Sequence, residues 1–319
     1  MGKVEMSSAC EATRHLMEAT GRSKANEPQR HDNIRLEAAL VNFSLMTYTV
    51  HAGQPGGLQT LAEIADFAQD VDFDALELSA RDLNANTPEK IAEICGARGL
   101  SISCINGPSD LSAADDAAFE AGLEEARALT DAAAAMDCPV IMLIPGRAES
   151  EEDLPRAADR IAEGLKEAVA YASGQGVTVT IEDFPNPLAP YASIDQVRYL
   201  LEAAPGLKLT YDCGNWVVGG DDPVEALHAF ADDIVNAHIK EWEPDPNESR
   251  IHTPDGRWLR GGLHGQGVLD HEAILAGLAE IGYDGYLAFE YEGVEDHTEA
   301  TRRGMEYLRG VLSKISPEL

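Results

Sequence analysis

A chain of 319 residues that is 44% hydrophobic can bury one large core, and α/β barrels of this length form single domains. Its 56 acidic residues against 24 basic ones give a formal charge of −32, which repels a phosphodiester backbone and, with no basic stripe to compensate, excludes nucleic acid as a partner. No run approaches the roughly 20 apolar residues of a membrane span, so no membrane partner is expected.

The N-terminus lacks the continuous apolar segment of a signal peptide. Cys10, Cys95, Cys104, Cys138 and Cys213 are scattered without a CxxC pair, which argues against disulfides and thiolate metal sites. A reducing cytoplasm is the expected location. Only seven of the basic residues are Lys, a balance suited to a halophilic protein: at molar salt the Debye length is about 3 Å, and self-repulsion is largely screened.

Residues 1–33 carry five basic and five acidic residues and no β-rich run, with one short helix expected from Met6 to Ala19. They read as a mobile extension preceding a barrel over residues 34–319; the alternative is an arm packed on a partner subunit of a homo-oligomer. From Val41 onward, apolar runs alternate with helix-length segments, the pattern of βα units around a parallel sheet. Strands are expected at Val41–Thr49, Ala75–Leu78, Ile102–Asn106, Val140–Ile144, Val177–Glu182, Lys208–Asp212, Val235–Ile239 and Tyr286–Glu290. Eight units predict a closed (β/α)8 TIM barrel, and the lack of a GxGxxG or GxxxxGK[ST] loop disfavours a nucleotide-binding open sheet.

Thr87 ahead of Pro88, and Ser193 ahead of IDQVRYLL, are expected helix N-caps; Gly99 and Gly176 stand where helices end before strands. The connection from Glu241 to Leu269 contains Pro244, Pro246 and Pro254, so it is expected to be a helix-free lid over the site.

Glu182, Asp212, His238 and Glu290 each stand at or near the C-terminal end of an apolar run, VTVTIE, LKLTYD, VNAHI and GYLAFE. In a parallel barrel those ends meet at one mouth, so three carboxylates and one imidazole would converge as a hard, oxygen-rich site for one divalent cation. Such a cation can polarise a sugar carbonyl, and Glu182 and Glu290, from strands on either side of Asp212 and His238, can serve as the two proton-transfer bases.

Four stretches, IEDFPNP from Ile181, YDCGN from Tyr211, AHIKEW from Ala237 and HGQGVLDHEAILAGLAEIGYDGYLAFEYEG from His264, make residues 41 to 312 resemble the xylose isomerase-like TIM barrels, a family of sugar-phosphate isomerases and epimerases, ketose 3-epimerases and inosose dehydratases. The resemblance implies that Glu182, Asp212, His238 and Glu290 bind Mn, Mg, Co or Zn and that the two glutamates exchange a substrate proton. It also makes Glu77 similar to a substrate-contacting glutamate. The chain departs from the epimerases at Asn215, where many carry histidine, and at Pro244, where ketose epimerases carry arginine. Asn215 can orient a hydroxyl but cannot titrate.

Lys240 shares the inward face with His238 by strand alternation, where it would steady an oxyanion or phosphate or pair with a carboxylate. His51 and His264 are further substrate-contact candidates, and Trp216 and Trp242 candidate apolar walls. The expected function is a metal-dependent sugar or sugar-phosphate isomerase or epimerase working through an enediolate on a small carbohydrate. The alternatives are a keto-polyol dehydratase on the same metal and a non-catalytic sugar-binding barrel.

Overall fold

The computed structural model describes residues 42–315; the expected N-terminal extension and the helix expected at Met6–Ala19 lie outside the described residues. Eight strands close a barrel: β1 (Asn42–Met46), β2 (Ala75–Ser79), β3 (Ser101–Pro108), β4 (Val140–Ile144), β5 (Thr178–Glu182), β6 (Lys208–Asp212), β7 (Ile234–Ile239) and, after three short strands described below, β11 (Tyr286–Phe289). Neighbouring strands are all parallel, and β1 completes the ring by pairing with both β2 and β11. This is the (β/α)8 barrel that eight alternating units predict.

Helices wrap the outside, among them Leu61–Val71, Asp116–Ala135, Leu154–Ser173, His271–Glu280 and His297–Ile315. Their apolar stripes, such as Ile161, Leu165, Ala168 and Ala172, bury against the outward faces of the strands, including Ile141, Val179 and Leu209. Each such Leu or Ile contributes roughly 1.5–3 kcal/mol by leaving water. The barrel interior is different. Thr180, Thr210 and Asn236 stand two residues before Glu182, Asp212 and His238 and so share their inward face, and Thr180 Oγ1 lies 2.7 Å from Thr210 Oγ1.

Local signals behave as their chemistry requires. Thr87 caps the Pro88–Gly96 helix by accepting from Lys90 N–H; Ser193 stands at the N-cap position without a side-chain bond, and the first helical amide, Ile194 N–H, donates to Asp221 Oδ2 at 2.9 Å. Gly99 and Gly176 have φ of +71° and +75°, with open space around the absent Cβ, so glycine serves backbone conformation there and not close packing.

Two expectations need correction. The first strand stops at Met46, and Thr47–Val50 forms a helical turn, held where Thr47 Oγ1 donates to Asp82 Oδ2 at 2.6 Å and Tyr291 N–H donates to Thr49 Oγ1 at 3.2 Å. The Glu241–Leu269 connection is free of helix as expected, but it contains β8 (Trp242–Pro244), β9 (Ile251–His252) and β10 (Trp258–Gly261), an antiparallel sheet ordered β8-β10-β9. Its own small core of Trp242, Leu259 and Val218 explains why proline-rich chain is ordered here. Among the described residues, no helix is long and apolar enough to cross a membrane.

Candidate active site

Strand register carries the four candidate ligands to one place. Asp212 pairs directly with His238 across β6 and β7, Glu182 ends the adjoining β5, and Glu290 follows β11 with its N–H on Ile239 O at 3.1 Å. One donor atom from each residue lies within 4.8 Å of the other three.

His238 fixes the centre. Its Nδ1 faces Glu182 Oε1 at 2.6 Å, with Asp212 Oδ2 and Glu290 Oε2 each 3.9 Å away, and its Nε2 lies 2.9 Å from Glu77 Oε1. Burial disfavours the imidazolium, but Glu77 and Glu182 outweigh it and hold the His238 pKa well above the usual histidine range. Asp212 Oδ1 accepts Gly214 N–H at 2.7 Å and Asn215 N–H at 2.9 Å, which locks its carboxylate and leaves Oδ2 aimed inward.

Lys240 lies beside this cluster, its Nζ 3.0 Å from Asp212 Oδ2, 2.9 Å from Glu290 Oε2 and 3.4 Å from Glu292 Oε2. These are ion-pair distances, and Asp212 Oδ2 and Glu290 Oε2, both buried, have no further hydrogen-bond donor. Burial raises the Asp212 carboxyl while Lys240 and His238 pull it lower still; for Glu290 burial dominates and pushes the carboxyl well up. Glu182 is also raised by burial, partly offset by His238.

Two buried oxygens with no donor besides Lys240, a third carboxylate and an imidazole nitrogen facing one point form a hard donor set that fits a divalent cation. Behind it, the Glu77–His238 contact is the carboxylate–histidine arrangement that orients an imidazole ligand and raises its basicity.

The remaining candidates divide. Glu77, expected at substrate, is fully buried beneath His238, its oxygens engaged by His238, Asn236 and Asn106. Asn215 is buried, donating to Asp183 O at 2.9 Å and presenting Oδ1 to Lys240 Nζ at 3.4 Å. His264 does not face the cluster: its ring stacks on Phe289 and His271, and Nε2 donates to Ile239 O at 2.9 Å. His51 stands at the rim, where Nδ1 accepts from Gly53 N–H and contacts Arg81 Nη1 at 2.6 Å. Trp216 is no pocket wall, being buried between Tyr211 and Phe230, whereas Trp242 lies 5.5 Å from Lys240 Nζ.

Three acids and a tyrosine add to the site beyond the sequence candidates. Tyr48 donates to Glu292 Oε1 at 2.6 Å, and Asp183 Oδ1 accepts Asp212 N–H at 3.3 Å. Glu241 Oε1 accepts the amides of Trp242, Val268 and Leu269, and Oε2 that of Gly265, which ties the HGQG turn to the end of β7. A Cβ on Gly267 would lie 2.3 Å from Glu241 Oε1, so the turn requires glycine. The acidic doublet after Ile181 and the EYE triplet at 290–292 are the signals that could have drawn attention to Asp183 and Glu292.

With this geometry in hand, residues 65–311 match the family described as xylose isomerase-like TIM barrel. The chain belongs to that family. Within it, the sequence is 24% identical over 273 residues to an L-ribulose-5-phosphate 3-epimerase of Escherichia coli O157:H7 (strain EC4115 / EHEC), covering 79% of this chain and 90% of that one. It is 33% identical over 159 residues to an inosose dehydratase of Geobacillus kaustophilus (strain HTA426), which is 46% of this chain and about half, 51%, of the dehydratase. Among solved structures, an L-ribulose 3-epimerase superposes with a TM-score of 0.71 at 18% identity, covering 88% of this chain and 97% of that one. A xylose isomerase domain protein from Planctomyces limnophilus gives 0.68 at 22%, covering 87% and 99%. At these identities the structural matches speak to the fold. The named sequence relatives are an epimerase and a dehydratase.

Proposed function

We propose that this xylose isomerase-like barrel is a divalent-cation-dependent isomerase or epimerase of a sugar or sugar phosphate, which moves a proton at a carbon beside a carbonyl through an enediolate. The observation that carries the reading is the pair of carboxylates, half-buried Glu182 and buried Glu290, whose oxygens converge with Asp212 and His238 from opposite sides. These four residues would hold the cation, which when bound would polarise the carbonyl and offset the charge that develops as the C–H bond ionises.

Glu182 and Glu290 approach from different strands, so one can take a proton from one face of the substrate carbon while the other returns it on the opposite face. In the absence of a cation, burial raises both carboxyls, partly offset by His238 at Glu182 and by Lys240 at Glu290. Lys240, held by Asp212, Glu290 and Glu292, supplies fixed positive charge beside the reacting oxygens, and Asn215 orients it. Glu77 acts by positioning His238 and not by touching substrate. The high acidic charge and few lysines suit work in a salt-rich cytoplasm.

A panel of ketoses, ketose phosphates and inososes in deuterated, high-salt buffer with Mn²⁺ tests the reading. Deuterium should enter the carbon beside the carbonyl with mass otherwise conserved; absence of exchange across the panel refutes proton abstraction. The similarity to the inosose dehydratase supports a second reading, elimination of a β-hydroxyl from the same intermediate. Loss of water from the product separates the two.

A further inference from the structure

Every arginine among the described residues reaches a carboxylate within 4.0 Å except Arg81, Arg147 and Arg250. In a chain of net charge −32, an exposed guanidinium without an acidic partner is the unusual case. All three follow the C-terminal ends of barrel strands, β2, β4 and β7, the end where Glu182 and Glu290 open. Arg81 already contacts His51 at 2.6 Å, and Arg250 belongs to the antiparallel excursion after β7. Arg147 borders a cavity at this end of the barrel.

That cavity, about 590 Å³, is lined by Ile144, Phe184, Leu188 and Tyr191 together with Arg147. It adjoins the reacting centre through register: Leu143 pairs with Ile181, so Ile144 stands beside Glu182. The backbone carrying Arg147 is fixed on both sides. Arg147 N–H donates to Ser112 Oγ at 3.1 Å and its carbonyl lies 2.8 Å from the same hydroxyl; Tyr191 O–H donates to Gly146 O at 2.7 Å, and Ala148 N–H donates to Leu188 O at 2.8 Å. Gly146 makes the turn possible, with φ of +89° and a virtual Cβ 2.1 Å from Asp110 Oδ1. Asp110 and Glu149 also border the cavity, but Asp110 Oδ1 is occupied by the Ser112 amide and hydroxyl. The loop thus places Arg147, whose guanidinium has no carboxylate partner among the described residues, at the edge of a cavity walled by Ile144, Phe184, Leu188 and Tyr191, one strand over from Glu182.

We propose that Arg147 binds the anionic end of the substrate, a phosphate or carboxylate, while the carbonyl end lies at Glu182 and Glu290. The proposal rests on the isomerase reading for which end of the substrate reacts, and it narrows the substrate class to sugar phosphates or sugar acids. A guanidinium matches either anion with two parallel N–H bonds, whereas an uncharged ketose would leave it unpaired.

The test uses full-length protein with Mn²⁺ and three substrates of equal chain length: a ketose, its terminal phosphate and the corresponding terminal carboxylate. Solvent deuterium exchange gives kcat/KM for each, in wild type, Arg147→Met and Arg147→Lys. The wild type should favour one of the anions over the neutral sugar, and the preferred anion identifies the source. Arg147→Met should cut the anion-to-neutral ratio by about 10- to 100-fold, with partial recovery in Arg147→Lys. An unchanged ratio in Arg147→Met, or a wild-type preference for the neutral sugar, overturns the proposal. Equilibrium dialysis with inorganic phosphate provides a reading independent of turnover: wild type should retain phosphate and Arg147→Met should not. If no sugar exchanges deuterium but this difference holds, the isomerase reading fails and the anion site stands; if phosphate binds equally to both, the site fails.

Discussion

Replacing Glu77 by Gln changes charge at nearly constant volume, at a position where no solvent can compensate. Glu77 is fully buried, and its two oxygens serve His238 Nε2 at 2.9 Å and Asn236 Nδ2 at 3.0 Å. Glutamine keeps one oxygen for His238 but turns an amide donor toward the donor of Asn236. The imidazole therefore loses both the negative charge that raises its basicity and the fixed geometry that aims Nδ1 at Glu182, Asp212 and Glu290. Losing such a partner behind a ligand weakens cation affinity by about 10- to 100-fold, or roughly 1.4–2.7 kcal/mol. Competition for Mn²⁺ between protein and a fluorescent chelator measures it, with KM for the sugar taken separately at saturating Mn²⁺. We expect weaker cation binding and little change in KM. Unchanged cation affinity with a raised KM would refute the reasoning and return Glu77 to substrate contact.

Other consequences are as direct. Glu290→Gln should lower kcat by about 10²–10⁴-fold with KM little changed, and near-normal turnover would remove its role as a base. Burial pushes the Glu241 carboxyl up to about 7 despite its backbone amide partners, so the folded state holds that proton more tightly than the unfolded chain. Its contribution to stability is full below the ordinary glutamate pKa of about 4.5 and is lost as pH rises through about 7, a change of up to about 3 kcal/mol. Denaturant unfolding between those limits should show this slope in wild type, and a Glu241→Gln variant with the same slope would contradict it. A chain starting at residue 34 should give the cooperative unfolding transition of the full protein, and an insoluble or non-cooperative product would show that residues 1–33 are part of the fold.

The barrel was legible because each βα unit carries its own signal, an apolar run followed by a helical stripe, and β4 and β6 fall where those runs predict. The four convergent residues were legible for a related reason: a polar residue closing an apolar strand marks both a chemistry and a position. What the sequence could not convey is contact across the ring. Glu77 and His238 are 161 residues apart, and only closure of the barrel brings them together, so a partner of His238 reads as a substrate contact. His264 sits in a glycine turn that looks like a substrate loop, yet its ring fills space against Phe289. Tyr48 was hidden because its apolar run continues past the true strand end, where bonds to Asp82 and from Tyr291 turn the chain into a helix. Glu241, beside Lys240, looks like a surface ion-pair partner; its backbone amide contacts arise from residues 24 to 28 positions away as well as its neighbour.

Calorimetric titration of Mn²⁺ into chelator-stripped full-length protein in molar KCl, alongside Asp212→Asn, tests the convergent cluster most directly. The account predicts one ion bound per chain, a rise in the unfolding temperature that grows with free Mn²⁺, and loss of both in the variant. No saturable binding by the wild type, or equal binding by Asp212→Asn, would contradict it.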